Sequence, residues 1–444
     1  MKTKELIALG LPKDPPYLEA AASALKRASR FGIKKGSIRK EVRSLLHSPS
    51  EYRDHEIWGE LARVLTDTKA ARATYTPRQE PAPFVRFGQD IEQGAITQME
   101  NACSLPVALR GALMPDAHQG YGLPIGGVLA VKDAVIPYAV GMDIACRMRL
   151  SVLDMPVSAL AHKQRDLEQA IEKQCRFGVG ATFDKRRNHA VMEDSSWQGS
   201  ATLAAVKDRA WSQLGTSGSG NHFVEFGVLT LSSPNLGLPQ GEHLALLSHS
   251  GSRGAGGELA QKYSKLAASL RPELPRHLMH LAWFDINSAL GQEYWLCMEL
   301  MGRYAMANHE LIHRHVIEYL GATALSSVEN HHNFAWRELH DGEAVIVHRK
   351  GATPAGTGDL AIIPGTMATP GYVVKGKGEP RSLRSASHGA GRRMSRAAAR
   401  DRYTWQDLKR VLVQRKVVLL SAGLDEVPMA YKDLESVMAA QTDL

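Results

Sequence analysis

From about residue 84 onward the chain repeats one local pattern, a short apolar run that breaks against a polar, glycine-containing loop. Val128-Leu-Ala-Val, His243-Leu-Ala-Leu-Leu, Ala344-Val-Ile-Val and Leu360-Ala-Ile-Ile are such runs. They are brief and rich in branched residues, which favours strands over helices. Each runs toward a polar loop or follows closely on one, so residues with chemistry gather at strand ends. A helical stretch from about His277 to Leu320 interrupts the strands, and Trp405 to Val437 reads as helix, strand at Val417-Val-Leu-Leu, and helix. The expected class is α+β, a mixed fold with a central β-rich core and flanking helices. Residues 1–75 are different in texture. They are rich in Lys and Arg, show helical periodicity in Leu18–Arg27 and Trp58–Leu65, and hold no metal-ligand spacing. A small basic helical extension is expected there, with a proline-containing linker near Thr76 to Pro83 and a main domain over 84–444.

Bulk properties exclude several classes. The four cysteines, Cys103, Cys146, Cys175 and Cys297, have no close pairing, which speaks against a disulfide framework. The first ten residues mix acid and base without an apolar core, unlike a secretory signal. No apolar run approaches the roughly 20 residues that a membrane helix needs. A soluble, cytoplasmic protein is expected. The net charge of +8 over 444 residues favours an acidic partner such as RNA, DNA or nucleotide phosphates.

Five loops supply candidate metal ligands and nucleophiles. Gly141-Met-Asp-Ile-Ala-Cys places Asp143 and Cys146 three residues apart, and Gly218-Ser-Gly-Asn-His-Phe-Val-Glu offers Asn221, His222 and Glu225. His249 lies in Ser248-His-Ser-Gly-Ser-Arg-Gly with Arg253, and His332 in Glu329-Asn-His-His-Asn. His388 opens the fifth, Ser385-Ala-Ser-His-Gly-Ala-Gly-Arg-Arg-Met-Ser-Arg. A carboxylate, a thiolate and several imidazoles suit a divalent transition ion such as Mn, Fe, Co or Zn. Any one buried His or Cys is commonly a satisfied core residue; recurrence in glycine-flanked loops is what raises the five above that background. Glycines at 389 and 391 let backbone N–H groups approach an anion. Arg253, Arg349, Lys350, Arg392 and Arg396 lie in or just after such loops, where contacts to phosphate are expected.

One rival pattern is present. His309-Glu-Leu-Ile-His313 matches H-E-x-x-H on an expected helix, with Glu310 as a base and Glu329 as a third ligand. That constellation would describe a zinc metallopeptidase.

Taken together, the loops resemble the RtcB-type RNA ligases. The resemblance runs from about residue 84 to 440. It is carried by Met114-Pro-Asp-Ala-His-Gln-Gly-Tyr-Gly-Leu-Pro-Ile-Gly-Gly, the Asp143/Cys146 loop, Gly-Asn-His-Phe, His-Ser-Gly-Ser-Arg-Gly, His332-Asn, His-Arg-Lys-Gly-Ala-Thr, Ser-Ala-Ser-His-Gly-Ala-Gly-Arg and Ala430-Tyr-Lys-Asp. The resemblance implies an enzyme that joins RNA 3′-phosphate or 2′,3′-cyclic phosphate ends to 5′-hydroxyl ends with GTP and two manganese ions. It implies that Asp143, Cys146, His222, His249 and His332 hold the ions, with Cys146 bridging. His388 would take GMP, with Asp116 close to it. Asn221, Glu225, Lys350, Gly389, Ala390, Gly391 and Tyr431 would contact the nucleotide, and Arg253, Arg349, Arg392 and Arg396 RNA or phosphate. An archease-like activator and a monomer or weak dimer are also implied. The chain departs from the family pattern in three places. It ends at Gln441-Thr-Asp-Leu where the family has a Lys-Gly pair whose lysine contacts guanine, it has Gly371 before Tyr372, and Arg147 follows Cys146. The expected consequence is weaker anchoring of guanine.

Overall fold

The computed structural model describes residues 2–13, 15–73 and 78–444. The start of the expected linker, Thr76 and Pro77, lies outside the described residues. Two sheets organise the remainder. The first has five strands in the order Phe84–Arg86, Ala108–His118, Ile125–Val131, Glu343–Lys350 and Asn333–His340. Its first pair is parallel and the others antiparallel. The second is wholly antiparallel, in the order Phe223–Leu231, Gly241–Ser250, Arg147–Leu153 and Ala324–His331. The class is mixed α+β, as the alternation of apolar runs and loops implied.

The four runs that read as strands all lie within strands. Val128, Leu129, Ala130 and Val131 are all fully buried, so that run lacks polar alternation because both faces are covered. Burying each Val or Leu there contributes about 1.5–3 kcal/mol. Two expectations differ from the structure. Val417–Leu420 forms no strand; Val418 and Leu420 are exposed, so the run lacks the burial that makes a branched apolar run a strand. The long helix begins at Ala289 rather than near His277. Ser288 caps it by accepting from Gly291 N at 3.0 Å, and Gly321 closes it in the left-handed region, as short polar and glycine caps do.

The basic N-terminal region is helical, with Pro15–Arg30, Lys35–His47 and Gly59–Ala73 as its main helices. It shares a core with the main body. Tyr17, Ala24, Val42, Trp58 and Leu61 belong to one continuous buried cluster with Leu259, Tyr263, Tyr294 and Met298. Lys262 pairs with Glu19 at 3.2 Å, and Asp67 accepts from Ala289 N at 3.3 Å.

Candidate active site

Register decides where the ligand loops go. In the second sheet Met148 pairs with His249, Phe223 pairs with His249, and Arg147 pairs with His331. Cys146 and His222 each sit one residue before a strand start, while His249 and His332 sit at strand ends. Antiparallel pairing brings all four to the same end of the sheet. At His332 the chain leaves this sheet and enters the other through Asn333. His332 N donates to the Cys146 carbonyl at 2.9 Å, Ala145 N to the Asn333 carbonyl at 2.7 Å, and the Asn333 amide to the Asp143 carbonyl at 3.1 Å. The candidate site therefore lies where the two sheets meet.

Two ligand groups form there, Cys146 with His249 and His332, and Asp143 with Cys146 and His222. Cys146 belongs to both. Its Sγ lies 3.0 Å from His249 Nε2 and 3.5 Å from His222 Nε2, and the Nε2 atoms of His249 and His332 are 3.2 Å apart. His249 Nδ1 donates to the Asn221 carbonyl at 2.8 Å, which turns its Nε2 lone pair toward the cluster, the arrangement that orients metal-binding imidazoles. His222 Nδ1 lies between the Ser217 carbonyl at 3.2 Å and the Arg253 guanidinium at 3.1 Å, contacts that fix the ring with Nε2 toward the cluster. Burial and the neighbouring His222 and His388 push His249 down to about 3, so its ring is neutral. Burial also pushes the Cys146 thiol well up, and Asp143 adds to that. Burial opposes charge on Asp143, but His222 and Arg253 together outweigh it and hold the carboxyl below its usual range. Asp143 Oδ2 is buried without a hydrogen-bond partner, 2.8 Å from His222 Nε2. Converging lone pairs of N, S and O with an orphaned carboxylate oxygen fit soft-to-borderline divalent ions. A side chain at Gly251 would strike Asp143 Oδ1, 2.3 Å from an ideal Cβ, which is why a glycine faces the carboxylate.

His388 stands beside this cluster, its ring 5.0 Å from that of His332. It follows the short strand Ser385–Ser387, which pairs with Ala352–Pro354. Its Nδ1 donates to Asp116 Oδ2 at 2.7 Å, and its backbone N donates to the same oxygen at 3.2 Å. Asp116 is 0 % exposed and lies where the Ala108–His118 strand breaks register. With Nδ1 protonated, Nε2 holds the free lone pair; the tautomer is inferred from this bond. Gly391 has φ +74, and a Cβ there would sit 2.2 Å from the Asp116 carbonyl oxygen. Only a glycine lets the His388 loop close onto Asp116.

The family model for the tRNA-splicing ligase RtcB matches residues 98–444. The chain belongs to the RtcB family. It is 32 % identical over 400 residues to the RNA-splicing ligase RtcB of Escherichia coli K12, covering 83 % of this chain and 95 % of that one. It is 30 % identical over 423 residues to the tRNA-splicing ligase RtcB of Methanococcus maripaludis, covering 79 % and 88 %. The Thermococcus kodakarensis tRNA-splicing ligase RtcB is 31 % identical over 415 residues, at 77 % and 86 % coverage. The basic helices before residue 74 precede the RtcB match.

Not every candidate loop residue faces the site of this RtcB chain. Arg349 is 1 % exposed and bound to Glu338 at 2.5 Å, to Ser385 Oγ at 2.7 Å and to the Leu383 carbonyl at 2.8 Å. Its donors are spent inside the protein, which corrects its expected role in phosphate contact. Lys350 is likewise buried, donates to the Tyr121 carbonyl, and is pushed down to about 7 by burial; it braces the Gly120–Gly122 loop. Arg392 donates to Glu426 at 3.1 Å, to the Asp425 carbonyl at 2.7 Å and to Tyr431 Oη at 3.1 Å. Tyr431 also donates to Glu426, so Arg392 and Tyr431 form one network with that carboxylate. Arg396 is half-exposed and reaches both Glu426 and the Asn221 side chain, and Arg253 donates to Thr216 Oγ1 at 3.2 Å beside His222. Glu225 is exposed to solvent, and the protein packed around it raises its carboxyl above the usual range.

The H-E-x-x-H helix is a structural element. His309 and His313 both bond Ser248 Oγ, at 2.6 and 2.8 Å, and His313 Nδ1 bonds Ser151 Oγ at 2.8 Å. Glu310 points elsewhere, toward His189 and Arg314, and Glu329 pairs with Arg147 and Arg149. Among the described residues His309 and His313 belong to no group of converging ligands, and both are engaged by serines, which argues against the peptidase reading. Arg147 is held by Glu329 and the Gly302 carbonyl rather than facing the ligands. These polar pins under the sheet carry a pH signature. Burial pushes His313 and His348 from the usual 6.5 down to about 3. Unfolding lets them take up protons below 6.5, so their stabilising contribution is full above 6.5 and is lost as pH falls toward 3. Thermal melts should show a midpoint that drops between pH 7 and pH 5; a flat profile would contradict this.

Residue-by-residue sequence reasoning missed three supports. Asn333 fixes the Asp143 loop, and its Oδ1 accepts from Gly351 N at 2.7 Å. Lys432 donates to the carbonyls of Asp90, Pro115 and Ala117, pinning the strand that bears Asp116. Gln441 accepts from Ser387 N at 2.9 Å, directly before His388. Asn333 was visible as the neighbour of His332, and Lys432 lies within the Ala430-Tyr-Lys-Asp motif; nothing local marks Gln441.

Proposed function

We propose that the protein is an RNA ligase that joins RNA 3′-phosphate or 2′,3′-cyclic phosphate ends to 5′-hydroxyl ends, using GTP and manganese and passing through a guanylylated His388. The observation that carries this reading is the buried Asp116 carboxylate holding His388 Nδ1 while the ring faces the His332 edge of the ligand cluster. Membership of the RtcB family supports it.

The chain's own groups supply the chemistry as follows. His388 Nε2 attacks the α-phosphorus of GTP; the N–P bond forms and the bond to pyrophosphate breaks. Asp116 holds the Nδ1 proton and stabilises the positive charge that the ring acquires. An oxygen of the RNA 3′-phosphate next attacks the guanylate phosphorus, breaking the N–P bond and returning the lone pair to Nε2. The RNA 5′-hydroxyl then attacks the activated 3′-phosphorus, GMP leaves, and a phosphodiester remains. A cyclic phosphate end is first opened by water to a 3′-phosphate. Asp143, Cys146, His222, His249 and His332 would hold the two manganese ions, which when bound supply positive charge against the phosphate oxygens. Asn221, Glu225, the Gly389–Gly391 backbone and Tyr431 are proposed to contact the nucleotide. The exposed Arg396 and the half-buried Arg253, which lies against His222, are proposed to take phosphates, with binding that weakens in salt.

Incubation with manganese and α-labelled GTP is expected to leave acid-labile label on the chain. A His388→Ala variant that labels as well as the wild type would end this reading. Competition among the four nucleoside triphosphates tests the guanine preference separately.

A further inference from the structure

Two stretches of this chain are strongly basic: 381–416, which contains the His388 loop, and 26–43, which lies far from it in sequence. Residues 26–43 hold eight of the chain's 54 lysines and arginines and one of its 46 acidic residues, a net +7. These residues end the Pro15–Arg30 helix and begin the Lys35–His47 helix. The turn between them is closed by Gly32, with φ +65, and by Ile33 N donating to the Ala28 carbonyl at 3.1 Å. Ala24, Ala28, Ile38 and Val42 point into the core, so the cations are left on the outer side. Arg27 pairs with Glu60, and Lys35 and Arg39 share Glu5. Lys26, Arg30, Lys34, Lys40 and Arg43 are exposed and form no ion pair among the described residues.

Fold stability does not account for this arrangement. Lys34 and Lys35 sit at the N-cap and first position of a helix, where the macrodipole disfavours cations. Unpaired like charges on adjoining helix ends repel as well. Such a surface is stabilised by a polyanion. Phe31, at the tip of the turn, is 57 % exposed and offers a face on which a base can stack. A bilayer is the poorer fit, since the apolar residues of the second helix are buried and Phe31 is the one large exposed apolar side chain in the segment.

We propose that this basic helical turn is a second RNA-binding surface that grips the phosphate backbone of the substrate away from the reacting ends. That the polyanion is RNA rests on the ligase reading above. The extension is braced against the catalytic body through Lys262 and Glu19. Lys262 lies nine residues along the helix from Arg253, about 13 Å by helical rise. A tRNA-sized RNA held at the site has the length to touch the turn as well, and a strand of two or three nucleotides serves as the probe for the site alone.

The test uses the full chain with Arg30→Gln, Lys34→Gln, Lys40→Gln and Arg43→Gln combined. The probes are a tRNA-length RNA hairpin with 5′-phosphate and 3′-hydroxyl ends, which cannot be joined, and a short single strand. For the long RNA, Kd should rise roughly tenfold or more, and the slope of log Kd against log salt should fall by about 3. Affinity for the short strand and the thermal midpoint should stay unchanged, the latter reporting an intact fold. Unchanged affinity and slope for the long RNA would overturn the proposal. So would vesicles of phosphatidylserine and phosphatidylcholine binding the wild type while the substitutions abolish that binding and spare RNA. Absence of histidine labelling in the wild type would instead sink the ligase reading alone.

Discussion

Asp116→Asn is expected to slow guanylylation of His388 by about two to four orders of magnitude. One carboxylate oxygen accepts from both the ring Nδ1 and the backbone N of His388, and the other is buried without a partner. Asparagine has no good orientation in that place. If its oxygen faces His388, its NH2 group is buried with nothing to donate to, which costs about 1–3 kcal/mol. If the NH2 group faces His388, Nδ1 must become the acceptor and Nε2 carries the proton. The nucleophilic lone pair is then lost. Single-turnover labelling with α-labelled GTP measures the rate, with metal content measured alongside to separate this effect from loss of ions. An Asp116→Asn variant within about twofold of wild type, metals intact, would remove Asp116 from the mechanism.

Cys146→Ala is expected to empty both ion positions and to abolish labelling. Cys146 is the residue that belongs to both ligand groups, so its removal takes one ligand from each. Manganese bound after dialysis should fall from about two per chain toward none. Cys103→Ala provides the control, since Cys103 is buried in the apolar core away from the cluster and its thiol is pushed up to about 12 by burial. That variant should keep its metal. The same physics predicts a pH dependence for loading. Burial raises the Cys146 thiol, so binding as thiolate releases a proton, and affinity should weaken by about tenfold per unit as pH falls anywhere below that raised value, through neutral included. A Cys146→Ala variant that retains both ions would show that the sulfur is a bystander.

Much of the candidate site was legible because its donors sit in sequence patterns that strands and glycines impose locally. Asp143, Cys146, His222, His249, His332 and His388 each border a strand or a glycine loop, and the structure gathers all six. The arginines were less legible. Arg349, Arg392 and Arg396 look alike along the chain, all basic and close to glycine. Glu338 takes the first, Glu426 and Tyr431 hold the second, and the third stays half in solvent. Their partners are 11, 34 and 30 residues away, and no local signal shows which cation will find one. The same holds for His309-Glu-Leu-Ile-His313, where helical spacing placed both histidines on one face as expected. What lies opposite that face is Ser248, which bonds both histidines, and that depends on a strand 61 and 65 residues earlier.

The sequence by itself determined which donor atoms are available, that four of the five apolar runs read as strands become strands, and that residues 26–43 are strongly basic. Those follow from side-chain chemistry and from the periods of strand and helix, which are local. Tertiary structure made the contacts that no local pattern shows and that only the family resemblance implied, Cys146 in both ligand groups and Asp116 meeting His388 across 272 residues; it alone decided that Lys432 and Gln441 brace the two. Strand register and the competition of buried polar groups for partners are settled by long-range packing, and no local period encodes them.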